Sequence, residues 1–377
     1  MTGDYGSSVE RGGQAAIEVA RIARPSELSA AEVALWRTIQ AAHAELERPF
    51  FAPEWFRALD DAGHAVEIAV LAIDGSVCGF FPFHREGRTA LPPGGRLCDF
   101  QGWIGPADLP IDFPALLEAI GVRAWRFNHL LARQAAAARY ASERSGSPLA
   151  DLSDGFEAFL AEHKARGSGW VSQIPRKARK LGREVGEVRL ELRTPDPAVL
   201  AALRGWKRAQ RERTRTSDPL DEAWAELTVA NCLATDSPSF AGVLSALYAG
   251  DELVAAHLGL RSRETLHIWF PTYNPAHESY SPGLILMYEL FRAAADVGIG
   301  RVDFGKGPAR YKSSWMTGEE TVAEGSVDLH AIGRLVSGAS YSSRRWLRRA
   351  GIASLVREPR RRVTQGWRRL RGPGRTG

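Results

Sequence analysis

The chain has 377 residues, 44% hydrophobic and 25% charged, ordinary values for a folded protein but too long for one core, so two compact units are expected. No apolar run approaches the about 20 residues that a bilayer-spanning helix needs, and three scattered cysteines with nine histidines in no ligand spacing give neither a disulfide framework nor a metal site. The net charge of +5 is uneven: from Ala331 onward thirteen arginines face the single acid Glu358, so the tail carries +12 and residues 1–330 carry −7.

The opening MTGDYGSSVERGGQ is polar, glycine-rich and without an apolar signal core. It predicts a disordered start over residues 1–20 and a cytoplasmic protein. A first half over 21–150 contains EIAVLAI (67–73) and SVCGFFPF (76–83) around Asp74-Gly75, a dipeptide suited to the positive φ angles of a tight hairpin. Basic residues Arg176, Lys177, Arg179 and Lys180 crowd a helical segment at 168–188, either a solvated face or a phosphate-binding surface. A second hairpin, 242–249 and 252–260 around Gly250-Asp251, repeats the first, as in a chain built of two similar halves.

TLHIWF (265–270) alternates as a strand, with Leu266, Ile268 and Phe270 on one face and Thr265, His267 and Trp269 on the other. From Pro282 the spacing predicts a helix of about four turns, with Glu289, Arg292 and Asp296 on one stripe and Leu284, Tyr288, Phe291 and Ala295 opposite. Gly298 is placed to stop it. RVDFG (301–305) reads as a further strand, which completes a βαβ unit whose ligand lies at the carboxyl ends of the strands.

The helix begins on Ser281-Pro282-Gly283. Ser281 suits an N-cap, Pro282 loses no intrahelical bond at the first turn, and Gly283 leaves room for a ligand. The amides of Gly283, Leu284 and Ile285 would then point outward with the positive end of the helix dipole, a ready anion site. GRVDFGKG is no phosphate-cradling P-loop, because Gly307 replaces the required Ser or Thr, and Asp303-Phe304-Gly305 lacks the catalytic loop of a kinase.

The order hairpin, strand, Tyr273, Ser281-Pro282-Gly283 helix, Asp303-Phe304-Gly305 and Tyr311-Lys312 resembles the CelD/BcsL group of bacterial acetyltransferases, also called BioF2-like, within the GNAT superfamily. Leu97-Cys98-Asp99-Phe100 resembles the Ser-Asp-Tyr segment of the first half, and Arg176 to Leu181 the basic helix that opens the second. The resemblance implies an α/β (α+β) fold: a GNAT-like mixed sheet with flanking helices in two tandem halves, 21–150 and 151–335. It also implies that the pyrophosphate of acetyl-CoA or another acyl-CoA sits at Ser281, Gly283 and Leu284, with the pantetheine arm between strands 265–270 and 301–305.

Direct acyl transfer follows, in which an amine or hydroxyl attacks the thioester and a thiolate leaves. Asp303 is a candidate base or a brace for the loop 305–307. Tyr311 is a candidate acid, Lys312 a phosphate or oxyanion partner, and His267 or His257 a base. The acceptor expected with this resemblance is a sugar, glycolipid or exopolysaccharide intermediate. The superfamily loop pattern falls on Glu278, Ser281 and Gly283 and differs at two of these three positions, which leaves open a Fem-like aminoacyl-tRNA donor or a non-catalytic envelope scaffold.

The last segment, 336–377, is an arginine-rich tail. Beyond Pro359, Val363, Trp367 and Leu370 share one helical face and Arg361, Arg362, Arg368 and Arg369 the other. That pattern suits peripheral contact with an anionic membrane, with a solubilising tail or tRNA contact as alternatives.

Overall fold

The computed structural model describes residues 17–214, 219–307 and 310–330. The expected features of residues 1–16 and of the arginine-rich tail beyond 330 lie outside the described residues.

The first half runs β1 (Glu18–Ala23), α1 (Ala30–Ala42), α2 (Pro53–Asp61), β2 (Glu67–Ile73), β3 (Ser76–Glu86), β4 (Thr89–Leu91), α3 (Phe113–Ala119), β5 (Ala124–Leu131) and β6 (Ala141–Asp151). Two helices follow, α4 (Phe156–Ala165) and α5 (Trp170–Glu184). The second half is β7 (Val188–Glu191), α6 (Pro197–Thr214), α7 (Ala223–Ala234), β8 (Asp236–Ser237), β9 (Phe240–Ala249), β10 (Glu252–Arg261), β11 (Thr265–Tyr273), α8 (Pro282–Asp296), β12 (Arg301–Asp303), α9 (Arg310–Trp315) and β13 (Gly318–Asp328). Both halves have the same plan: a strand, two helices, an antiparallel hairpin, a third strand, and a helix that crosses over to a parallel fourth strand.

Both predicted hairpins are present. Asp74 (φ 49°) and Gly75 (φ 74°) take left-handed conformations between Ile73 and Ser76, and Gly250 (φ 60°) turns the chain between Ala249 and Glu252.

The strands join one mixed sheet in the order β1-β2-β3-β4-β5-β13-β6-β12-β11-β10-β9-β7, with β8 paired to β9. Its centre is an exchange. β6, from the first half, pairs antiparallel with β12 and β13 of the second, and β13 lies next to β5. The expected boundary between residues 150 and 151 therefore falls inside β6.

Helices cover both faces. On one, α1 and α2 share a core with α6 and α7, where Trp36, Trp55, Leu203 and Val229 are buried together. On the other, α4, α5 and α8 pack through Phe159, Leu181, Leu286 and Leu290. The buried face of α8 is centred on Ile285, Leu286, Leu290, Phe291 and Ala294, while the expected Leu284, Tyr288 and Ala295 lie at its margin. Gly298 (φ 85°) follows the helix end.

Candidate active site

Strand β12 pairs with β11 over three residues, Arg301 to Asp303 against Thr265 to His267. β11 continues to Tyr273, so the two parallel strands part beyond His267 and a gap opens at their carboxyl ends. Next to the gap β11 carries a bulge: Leu258 faces Phe270 and Gly259 faces Ile268, which leaves Trp269 as the extra residue. The bulge breaks the alternation expected from the sequence. Leu266 and Ile268 face the α8 side, whereas Phe270 joins Trp269 on the side shared by α6 and the first half.

Helix α8 begins at the open end. Ser281 is the residue before it, but its side chain does not cap the helix. It sits in the left-handed region (φ 58°, ψ 52°), which costs a non-glycine residue about 1 kcal/mol. Its hydroxyl accepts a hydrogen bond from Lys177 Nζ at 2.7 Å. The Leu284 and Ile285 amides turn back to the Ser281 carbonyl at 3.0 and 3.3 Å. Of the three amides expected to face outward, only that of Gly283 has no hydrogen-bond partner among the described residues.

A Cβ on Gly283 would lie 3.2 Å from Tyr273 Cδ1, so the turn packs its backbone directly on that ring. Lys180 of α5 stands 5.4 Å over the Tyr280 ring, and Tyr280 donates to Glu184 at 2.9 Å. The basic helix foreseen in the sequence is thus brought to the start of α8. The corresponding helix α3 begins instead with Asp112, whose carboxylate accepts from the Ala115 amide at 3.4 Å, a poor seat for an anion.

At the foot of the gap stands Asp99. His267 Nε2 lies 3.0 Å from Asp99 Oδ2, and His129 Nε2 lies 3.7 Å from Oδ1. His267 is fully buried, with Phe50 edge-on at 4.8 Å, whereas the Asp99 side chain is 24% exposed. Burial alone would raise the Asp99 carboxyl, but the His267 hydrogen bond and the fields of His267, His129 and Lys312 hold it below the usual carboxylate range. Burial pulls His129 down to about 4. Burial and then the Asp99 charge push the Tyr311 hydroxyl up to about 12, so it keeps its proton. Burial lowers the Lys312 amine and Asp99 partly restores it; its Nζ donates to the Gly305 carbonyl at 2.9 Å. Gly305 (φ 69°) could carry no side chain, because a Cβ there would collide with the Asp99 carboxylate.

Asp303 is placed differently from a base open to the gap. Its side chain is 1% exposed, and Oδ2 accepts from Arg48 Nε at 3.0 Å. Arg48 is itself fully buried, donates to Glu320 at 3.1 Å and lies 4.5 Å over the Phe100 ring. Asp303 therefore braces β12 against the first half through Arg48. His257 is fully buried, with Nδ1 3.4 Å from Ser245 Oγ, and burial pulls it down to about 3. The structure gathers His267, Tyr311 and Lys312 around Asp99 and sets Ser281, Gly283 and Leu284 at the start of α8.

Residues 168–313 match the family model of the acetyltransferase (GNAT) domain. The chain carries a GNAT acyltransferase domain. Its fold is similar to the C-terminal DUF2156 domain of an Agrobacterium fabrum protein described as a lysylphosphatidylglycerol synthetase, at 12% identity and a TM-score of 0.50, over 84% of this chain and 97% of that one. It is also similar to FemX, at 11% identity and a TM-score of 0.53, over 75% of this chain and 92% of that one. No protein with a curated description matches the chain.

Asp99, His129 and Arg48 carry no role in the sequence reading, whereas Lys177 belongs to the basic segment read as a solvated face or a phosphate-binding surface. Asp99 had a signal, an acid in the apolar segment Leu97-Cys98-Asp99-Phe100. Arg48 had none, because its partners Asp303 and Glu320 are far along the chain.

Proposed function

We propose that this GNAT enzyme moves an acyl group, in the first place acetyl, from acyl-CoA to an amine or hydroxyl of a sugar, glycolipid or exopolysaccharide intermediate, as in the CelD/BcsL group. The observation that carries the donor half of this reading is the gap between β11 and β12 with the start of α8 at its open end. The residues there fit the group: the Gly283 amide, Lys177 and Lys180 suit a pyrophosphate, and the unpaired edge of β11 from Ile268 to Tyr273 suits the amides of a pantetheine arm.

In the reaction, the nucleophile's lone pair attacks the thioester carbonyl, its proton passes to Asp99, and the carbon–sulfur bond breaks. Asp99 is ionised and partly exposed, as an acceptor must be, and His267 orients it through Nε2–H. Tyr311 holds the proton that the departing thiolate takes. Lys312 stands by Asp99 and fixes the Gly305 turn. Asp303 acts here as a positioning residue through Arg48.

The alternative donor is an aminoacyl-tRNA, as in Fem-type enzymes, to which the basic face of α5 is also suited. Thermal melts separate the two readings. Coenzyme A at 100 times its dissociation constant is expected to stabilise the protein by about 2.7 kcal/mol. No shift with coenzyme A, together with stabilisation by aminoacyl-tRNA, overturns the acyl-CoA reading.

A further inference from the structure

The stripe of α6 that packs on the sheet changes character along its length. Val199 and Leu203 are buried on the face shared with the first half, and the same four-residue spacing next presents Lys207 and Arg211. Lys207 acts on the fully buried His257 of β10, and the Arg211 guanidinium lies 5.8 Å from the centre of the Phe270 ring. The bulge at Trp269 is what turns Phe270 toward this side. A third cation comes from the first half: Arg96, exposed on the turn Gly95–Leu97, acts on Arg211. Asp221 is the acid that acts on Arg211, and among the described residues no carboxylate forms an ion pair with Lys207. Burial, then Arg211, pulls the Lys207 amine down to about 8, as befits a lysine held among cations.

This cluster lies on the opposite face of the sheet from α5 and α8, so it is separate from the proposed donor-phosphate seat. It is close to the chemistry, because Arg96 is three residues from Asp99 and the intervening Leu97 carbonyl accepts from Trp269 Nε1 at 3.0 Å. We propose that Lys207, Arg211 and Arg96 bind a phosphate or diphosphate group of the acyl acceptor and so hold its nucleophile beside Asp99. Three neighbouring cations match a polyanion better than a single carboxylate, and the arginine fork matches two phosphate oxygens. The proposal rests on the acyl-transfer reading given above.

Inorganic pyrophosphate is the probe, titrated calorimetrically into the full chain with and without saturating coenzyme A. Binding is expected to persist under coenzyme A, and to weaken by about tenfold in Lys207→Gln and in Arg96→Gln, as for loss of one charge-assisted contact. Lys207→Arg is expected to keep it, and coenzyme A affinity is expected to be unchanged in all three variants. Arg96 is exposed, so its variant reports on binding even where a change at Lys207 disturbs folding. Pyrophosphate that coenzyme A displaces, or that binds the glutamine variants as tightly as the parent, overturns the proposal. Acetate binding as tightly as pyrophosphate overturns the choice of phosphate. Failure of coenzyme A to bind at all strikes the donor reading alone, because the variants are still compared with pyrophosphate in its absence.

Discussion

His267 Nε2 faces Asp99 at 3.0 Å, and with its proton committed there Nδ1 is buried without a partner among the described residues. A ring nitrogen that donates to Asp99 cannot also take the nucleophile's proton, which is why the proposed reaction gives that proton to the partly exposed carboxylate. Asp99→Asn is expected to lower turnover by about 10²-fold, and Tyr311→Phe by a similar factor. Coenzyme A affinity should stay unchanged in both. Steady-state rates with an identified acceptor, set against calorimetric donor binding, check this; full activity with early melting in both variants assigns them to structure instead. The role of Asp99 does not follow from local sequence alone. Tyr311 was open to inspection next to Lys312, but its raised pKa comes from burial and from Asp99, some two hundred positions away.

Helix α8 shows how much of an element is local. Its start at Pro282, its length and the stop before Gly298 follow from proline, apolar spacing and glycine. The state of Ser281 does not. A serine before a helix normally caps it through its own oxygen, yet here α5 delivers Lys177 to that oxygen and the residue takes a left-handed conformation. The turn can then approach Tyr273 closely. Gly283→Asp is expected to abolish donor binding while the fold is kept, because a carboxylate would stand where phosphates are to bind and its Cβ, 3.2 Å from Tyr273 Cδ1, needs only a small shift of that ring. Calorimetry with coenzyme A against far-UV circular dichroism reads both halves of that statement. The strand β11 gives the converse lesson: its start was legible in alternating residues, but it runs on to Tyr273 rather than ending at 270, and the bulge at Trp269 moved Phe270 to the other face.

At the scale of the whole molecule, Arg48 ties the first half to β12 and β13 through Asp303 and Glu320. Arg48→Met leaves the buried Asp303 without its cation and Glu320 with only the exposed Arg133, and is expected to cost about 3–5 kcal/mol, read as a lowered denaturation midpoint. A loss below about 1 kcal/mol, the range of exposed pairs, would show that the pair is solvated. Acid should also destabilise the fold well above the carboxylate range. His129 and His257 are held to about 4 and about 3, chiefly by burial, whereas in the unfolded chain both take up a proton near 6.5. The unfolded state therefore binds more protons below that pH. Stability should fall as pH drops from about 6.5 toward about 4, by up to about 1.4 kcal/mol per unit for each histidine. Denaturant melts at intervals across that window test it, and a flat profile contradicts it. The sequence by itself determined the two hairpins, the βαβ unit of the second half, its helix start and the resemblance to an acyltransferase, because each is written in the spacing of residues inside short consecutive segments. Only the tertiary structure decided that β6 and β13 change places between the halves, that Asp99 meets His267, and that Asp303 answers to Arg48. Those partners are set by which surfaces bury each other once the sheet closes, and a periodicity along one segment carries no record of the residue that will face it across the core.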